Sequence, residues 1–333
     1  YHNSVALSFG GCSIHKTPKK VMMMFQEKIL KDATLPSWLL IVFFNVCVFT
    51  SHGQPLKLNE LEYFETRGAN VFVFNSEYNG MFFDEKTAGI EIIQHGVRTA
   101  TGGAVRLQHT PEQWDLVPKM LERKVDKVNQ SVEVTLRYEE FKFNSVVKVI
   151  ALSDGVEISV SLDQPLPEKL EGAAGFNLEF LPSAYFEKMY MVDGRAFVFP
   201  LYPAGTTTVE SDSTKIQQFG GHNTFDDRGR KEFIVPKPLA SGKVLVLSPE
   251  HAERQVSIQS DEQAIMLFDG RNLAQNGWYI VRSLLPAKRT GTVLKWKIKI
   301  NTLPEWKRAP MIGFSQVGYH PAQEKVAVVE LDK

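Results

Sequence analysis

The chain has 333 residues, enough for one large domain or two medium ones. Its composition, 43% hydrophobic and 23% charged, indicates a folded chain and excludes a disordered one. The 38 basic residues balance the 38 acidic ones, so no excess positive charge attracts nucleic acid or anionic lipid, and no nucleic-acid partner is expected.

The first 53 residues have the features of an export signal. Residues 1–21 precede three methionines, and we interpret them as a leader that is untranslated in the cell or disordered. Residues 22–53 contain lysines, an apolar segment from Leu35 to Thr50, and small residues ending at Gly53. An apolar segment of about 16 residues is shorter than the roughly 20 that a membrane-spanning helix needs, which favours a signal peptide cleaved after Gly53. We therefore expect a secreted, periplasmic or cell-surface protein, with no membrane contact after cleavage; an N-terminal anchor is the alternative.

From residue 54 onward, apolar and polar residues alternate, which is typical of half-buried antiparallel strands. SVEVTLRY at 131–138 has an apolar side chain at every second position, and VEISVSL at 156–162 and TVLKWKIKI at 292–300 repeat the pattern. The Asp154-Gly155 step predicts a hairpin turn. We expect roughly 15 short strands and no long amphipathic helix.

This pattern predicts an all-β fold with one short helix. The helix begins at the capping box Thr110–Gln113 and ends before Pro118. The region is too long for one immunoglobulin-like sandwich, which takes about 100 residues. We predict a large antiparallel β-sandwich, supersandwich-like, over residues 54–309. Residues 302–310 are interpreted as a linker.

The stretch FSQVGYHPAQEKVAVVEL resembles the start of the immunoglobulin-like domain that precedes the catalytic barrel in glycoside hydrolase family 9. There a strand carries Gln-Val-Gly-Tyr, followed by Pro and then by Lys and an apolar strand. The matching positions here are Gln316, Val317, Gly318, Tyr319, Pro321, Lys325, Ala327 and Val328. The segments GIEIIQHGVRTATGGAVRL, TPEQWD and GFNLEFLPSAYF are similar to the long N-terminal β-region of such enzymes from Bacteroidetes-type bacteria.

The resemblance implies that residues 310–333 are the first strands of a truncated immunoglobulin-like domain, with Gly318 and Tyr319 in its first strand. It also implies a cellulase-like enzyme that hydrolyses β-1,4-glucan with inversion. Its substrate would be β-glucan or another plant polysaccharide. Inversion needs two carboxyl groups roughly 6.5–9.5 Å apart. The family's Asp-Ala-Gly-Asp motif does not occur in this sequence, and Asp226-Asp227 is interpreted as a turn. We therefore expect no catalytic residue here, and intramolecular contact with a catalytic domain missing from this chain.

Two predicted strands carry polar residues that could line a saccharide groove. Because side chains alternate along a strand, Glu91, Ile93 and His95 are expected on one face of the first strand. In the second strand, Asn177 and Glu179 are expected on one face and three apolar side chains on the other. The candidate carbohydrate-binding residues are Glu91, His95, Arg98, Arg106, Trp114, Asn177 and Glu179. The alternative is a buried structural Glu–Arg network that joins two sheets.

No metal site and no cofactor is expected. His95, His109 and Glu91 lack a standard ligand spacing, and no phosphate-binding glycine motif occurs. His222 is interpreted as part of a polar surface loop, and Gly102-Gly103 as a turn or bulge.

Three functions therefore remain open. The first is the non-catalytic N-terminal part of a secreted family 9 glycoside hydrolase. The second is a stand-alone glycan-binding surface protein. The third is an epimerase-like β-supersandwich, which requires a His–Glu acid–base pair in one cleft.

Overall fold

The computed structural model describes residues 55–75, 89–108, 115–116, 118–203, 207–211, 225–230, 232–272 and 277–332. In these ranges the chain is nearly all β, as predicted, and the single α-helix is α1 (Pro182–Tyr185). Two 3-10 turns, Glu168–Leu170 and Gly270–Asn272, complete the helical content of this part of the chain. The predicted signal peptide and the capping box at Thr110–Gln113 lie outside the described residues.

The strands are short and follow one another closely. In the first half they are β1 (Lys57–Leu58), β2 (Phe64–Thr66), β3 (Ala69–Val73), β4 (Ile90–Gln94), β5 (Val97–Arg106), β6 (Lys119–Asp126), β7 (Ser131–Tyr138), β8 (Phe143–Ala151), β9 (Gly155–Leu162) and β10 (Gly175–Phe180). In the second half they are β11 (Met189–Val192), β12 (Arg195–Val198), β13 (Thr207–Ser211), β14 (Glu232–Pro236), β15 (Ala240–Gly242), β16 (Val244–Leu247), β17 (Val256–Ser260), β18 (Ile265–Asp269), β19 (Tyr279–Leu284), β20 (Gly291–Ile300), β21 (Met311–Phe314) and β22 (Ala327–Glu330). The expectation of roughly 15 strands was too low, because strands of two to four residues do not display a period of two.

Two large antiparallel sheets form the sandwich. Sheet I has nine strands in the order β1-β2-β3-β4-β5-β10-β19-β18-β15. Sheet II has nine strands in the order β12-β11-β16-β17-β20-β9-β8-β7-β6. Two further pairs, β13 with β14 and β21 with β22, stand apart from these sheets. The hairpin predicted at Asp154-Gly155 connects β8 to β9.

The core lies between the two sheets and consists of the apolar half of each alternating strand. In β7 every apolar side chain is buried and the intervening Glu133, Thr135 and Arg137 are half-exposed, as predicted. Trp296 from sheet II is fully buried, and its ring meets that of Phe176 from sheet I edge-on at 5.1 Å. This packing fixes which face of β10 is turned inward.

Polar contacts also connect the sheets at their edges. Arg123 of β6 donates to the Val73 carbonyl at 3.0 Å and pairs with Glu62 at 2.6 Å. The hydroxyl of Tyr138, in β7, donates to the carbonyl of Val105 in sheet I at 2.7 Å. Arg123 therefore connects sheet II to a backbone carbonyl of sheet I, and its acidic partner Glu62 lies between β1 and β2, outside both sheets.

The C-terminal residues form a separate hairpin of β21 and β22, in which every side chain is exposed. The prediction that Gly318 and Tyr319 lie in its first strand was wrong, because the strand ends at Phe314. Gly318 has φ +86, and the amide of Ser315 donates to the Tyr319 hydroxyl at 3.1 Å. This local bonding closes a turn where an extended strand was expected.

Candidate functional site

Four polar side chains occupy the centre of the sheet I face that is turned away from sheet II. Phe176, Leu178 and Phe180 of β10 belong to the core, so the alternation of the strand directs the other side chains outward. These are Asn177 and Glu179, and the neighbouring strands add Arg106 from β5 and Arg282 from β19. We call Arg106, Asn177, Glu179 and Arg282 the sheet I polar cluster.

Three members of this cluster are buried although all four lie on the outer face of the sheet. The exposed fraction is 0% for Asn177, 4% for Glu179 and 1% for Arg282. The side chain of Arg106 is 16% exposed and is the member that reaches solvent. Burial of three polar side chains in one place is expensive unless each finds a partner.

Two glycines leave room for the charged groups to lie flat on the sheet. A β-carbon added to Gly102 would be 2.7 Å from Oε2 of Glu179, and one added to Gly175 would be 2.7 Å from Nε of Arg282. Gly102 also has φ +69, and the pairing register of β5 shifts beside it, which confirms the predicted bulge. The local backbone is thus shaped around the carboxylate and the guanidinium.

Within the described ranges, the charged neighbour of Glu179 is Arg106. Nη2 of Arg106 lies 3.5 Å from Oε1 of Glu179, an ion-pair distance without hydrogen-bond geometry, so Oε1 accepts no hydrogen bond from the residues that the structure describes. Burial raises the pKa of the Glu179 carboxyl, and the nearby Arg106 charge opposes this only in part. The protonated carboxyl is therefore favoured relative to its state in water.

Asn177 and Arg282 face each other across β10 and β19 as register partners. Among the residues that the structure describes, neither the oxygen nor the nitrogen of the Asn177 amide has a hydrogen-bond partner. In Arg282, Nη2 donates to the carbonyls of Gln108 (2.7 Å) and Ala173, whereas Nε and Nη1 have no partner in the described part of the chain. Desolvation lowers the pKa of Arg282 to about 10, although the charge of Asp115 opposes that shift.

Sequence reasoning found three of these four residues and missed Arg282. The signal for it was present, since Arg282 interrupts the otherwise mostly apolar strand YIVRSL. An arginine in the middle of such a strand is almost never fully buried unless paired. A lone charge in an apolar run is therefore a candidate site residue even where the alternation is imperfect.

Glu91 and Arg98 lie nearer the edge of the same face and pair with each other at 3.1 Å. Thr101 donates to the same Glu91 oxygen at 3.1 Å. The Glu91 carboxylate is thus engaged within the protein, and the Arg98 side chain is 49% exposed. An exposed pair of this kind contributes little to stability.

The prediction that His95 shares a strand face with Glu91 was wrong, because β4 ends at Gln94 and His95 lies in the following turn with φ +48. Its ring is held by backbone groups: the amide of Leu303 donates to Nε2 at 3.2 Å, and Nδ1 lies 3.0 Å from the carbonyl of Glu253. Since Nε2 accepts, Nδ1 carries the proton and donates. Burial lowers the pKa of His95, so this neutral tautomer is favoured. His95 is therefore a structural contact at the end of the sandwich and is not part of the polar cluster.

The remaining predicted positions fall into two groups. Trp114, His109 and His222 lie outside the described residues. Asp226 forms the predicted turn, accepting backbone hydrogen bonds from Arg228 and Arg230. Within the described ranges no group of three or more His, Cys, Asp or Glu is arranged to hold a metal ion. The same ranges contain no helix with the length and apolarity to span a bilayer.

Comparison with known proteins gives little guidance. No family model and no curated protein matches the sequence. Among solved structures, the chain is similar to the Slr1438 protein from Synechocystis sp. PCC 6803, with 10% identity and a TM-score of 0.34, over 76% of this chain and 99% of that one. Similarity at this level assigns neither a family nor an activity.

Proposed function

We propose that the sheet I polar cluster binds a saccharide, and that the chain is the non-catalytic N-terminal part of a secreted glycoside hydrolase. The observation that carries the binding proposal is Asn177. It is fully buried in the middle of β10, both atoms of its amide are unpartnered, and Glu179 and Arg106 lie beside it.

A saccharide suits this arrangement for chemical reasons. Each sugar hydroxyl both donates and accepts hydrogen bonds, and an amide offers one group of each kind. An unpaired buried amide costs about 1–3 kcal/mol, and a ligand hydroxyl that pairs with it removes that cost. Arg106 provides the approach, because its side chain reaches solvent at the rim of the cluster.

The association with a glycoside hydrolase rests on the FSQVGYHP stretch and its resemblance to family 9. The expected ligand is β-glucan or another plant polysaccharide, and the hydrolytic residues would belong to a catalytic domain outside this chain. A stand-alone glycan-binding surface protein is the alternative that shares the same binding site.

Affinity electrophoresis in gels that contain soluble β-glucan or xylan tests the binding. The wild-type protein is expected to be retarded, and Asn177→Leu to bind about tenfold more weakly, since two hydrogen bonds are lost. Asn70→Leu is the matched control, because Asn70 is on the same face of sheet I and is separated from β10 by β4 and β5. Equal retardation of all three proteins, or of none, would refute the proposed site.

Hydrolysis is tested separately. The purified chain is expected to release no reducing sugar from soluble β-glucan, because the Asp-Ala-Gly-Asp motif of family 9 enzymes does not occur in its sequence. Measurable release would mean that the chain itself is a hydrolase.

A further inference from the structure

We infer that the saccharide bound by the sheet I polar cluster carries a carboxylate, that is, a uronic acid residue. The inference rests on the proposed saccharide site and narrows its ligand class. It comes from a count of the buried polar atoms that have no partner.

The unpartnered atoms are mostly donors. They are Nε of Arg106, Nε and Nη1 of Arg282, and Nδ2 of Asn177, against two acceptor atoms, Oδ1 of Asn177 and Oε1 of Glu179. Every hydroxyl of a neutral sugar brings a donor that itself needs an acceptor, and acceptors are the scarcer group in this cluster. A carboxylate supplies acceptors only, and it is the group that a guanidinium binds best.

The charges lead to the same conclusion. Arg282 is 1% exposed and makes its hydrogen bonds to backbone carbonyls, which carry no net charge. The charge of Asp115 is near enough to affect the pKa of Arg282. The Asp115 carboxylate, however, accepts hydrogen bonds from the backbone amides of Leu107, Gln108 and Leu116. A buried guanidinium without a hydrogen-bonded carboxylate is strongly disfavoured, so a ligand carboxylate would relieve a cost already present in the fold.

Glu179 is an incomplete partner for the arginines of the cluster. Its contact with Arg106 lacks hydrogen-bond geometry, and burial favours its protonated form. Arg106 and Arg282 are close enough for their positive charges to repel each other, and the Asp115 carboxylate acts on Arg282. An incoming uronate would balance the second arginine while its hydroxyl groups bond to Asn177.

Calorimetry with two probes tests this inference: xylotriose, and xylotriose bearing one glucuronic acid branch. The titrations use the full chain at pH 7 and 150 mM salt, where long-range attraction between exposed charges is screened. The branched probe is expected to bind at least about tenfold more tightly, since a hydrogen bond to a charged group is stronger than one between neutral groups.

Arg106→Gln is the test variant, because Arg106 is partly exposed and its replacement is tolerated more readily than that of Arg282. It should weaken binding of the branched probe about tenfold and change binding of xylotriose no more than about twofold. Arg98→Gln, on the same strand and paired with Glu91 at the surface, is the control and should change neither. Circular dichroism of each variant verifies that it is folded.

The outcomes separate the inference from the proposed function. Equal affinity for both probes would overturn the preference for a uronate and leave saccharide binding intact. Binding of neither probe, with xylan and β-glucan also unbound, would overturn both. Unchanged affinity of Arg106→Gln for the branched probe would overturn the assignment of the carboxylate to this cluster.

Discussion

Replacement of Gly102 by alanine tests whether the Glu179 carboxylate lies where the structure has it. Two costs are expected. Gly102 has φ +69, a conformation that costs an alanine about 1–2 kcal/mol. The new β-carbon would also be 2.7 Å from Oε2 of Glu179, and forcing such a contact apart in a packed site costs about 1–3 kcal/mol. We therefore expect Gly102→Ala to lower the free energy of unfolding by about 2–5 kcal/mol.

Gly172→Ala separates the two costs. Gly172 has φ +71, nearly the same as Gly102, but nothing lies within 4 Å of an added β-carbon. Gly172→Ala should therefore lower the free energy of unfolding only by the cost of a positive φ in alanine, about 1–2 kcal/mol. Urea denaturation monitored by tryptophan fluorescence measures both variants. Because the second term of Gly102→Ala comes from Glu179, the double variant Gly102→Ala/Glu179→Ala should recover about 1–3 kcal/mol relative to additivity. Equal losses in the two alanine variants, together with additive double-variant values, would refute the placement of the carboxylate.

Three further predictions address other parts of the molecule. Burial raises the folded-state pKa of Glu179, so the stability that its protonated form contributes is fully present below the unfolded pKa and is lost as pH rises. In thermal melts, Glu179→Gln should therefore gain stability relative to wild type between pH 4 and 7. A constant difference between the two proteins would contradict this. His95 has a lowered folded-state pKa, so wild type should lose stability as pH falls below 6.5, and His95→Asn, which cannot be protonated there, should lose less. Limited proteolysis should cut first near Lys307-Arg308 and release the C-terminal hairpin; a hairpin that resists cleavage while the sandwich is digested would contradict its weak attachment.

The sandwich could be predicted from sequence because its inner faces obey simple alternation. In β7, β9 and β20 one face is in contact with the core and the other with solvent, so burial and polarity vary together along the strand. Strand β10 departs from this rule. All six of its residues are buried, so Asn177 and Glu179 look like ordinary outward positions until their environment is known.

The errors have a different origin. His95 continues the period of β4 in the sequence, but a turn is set by backbone conformation, and its φ of +48 takes it off the strand face. At the C-terminal hairpin the Gln-Val-Gly-Tyr resemblance predicted a strand, whereas Gly318 and the hydroxyl of Tyr319 close a turn through local hydrogen bonds. Hydrogen bonds from side chains to the backbone do not change the alternation of apolar and polar residues, so neither of these two turns could be predicted from that alternation.

Burying polar side chains on the outer face of sheet I costs stability, and the packing of the sandwich does not depend on these side chains. Both faces of β10 are buried, so a chain selected for stability alone would also place apolar residues on the face of this strand that points away from Phe176 and Leu178. Instead it places an amide with two unpaired atoms beside a carboxyl that burial pushes toward its neutral form. Replacing such groups by apolar ones of similar shape is often neutral or stabilising, so Asn177→Leu should fold well even as it loses binding. Loss of saccharide binding with an unchanged or higher melting temperature is the combination that a purely structural role for Asn177 does not produce.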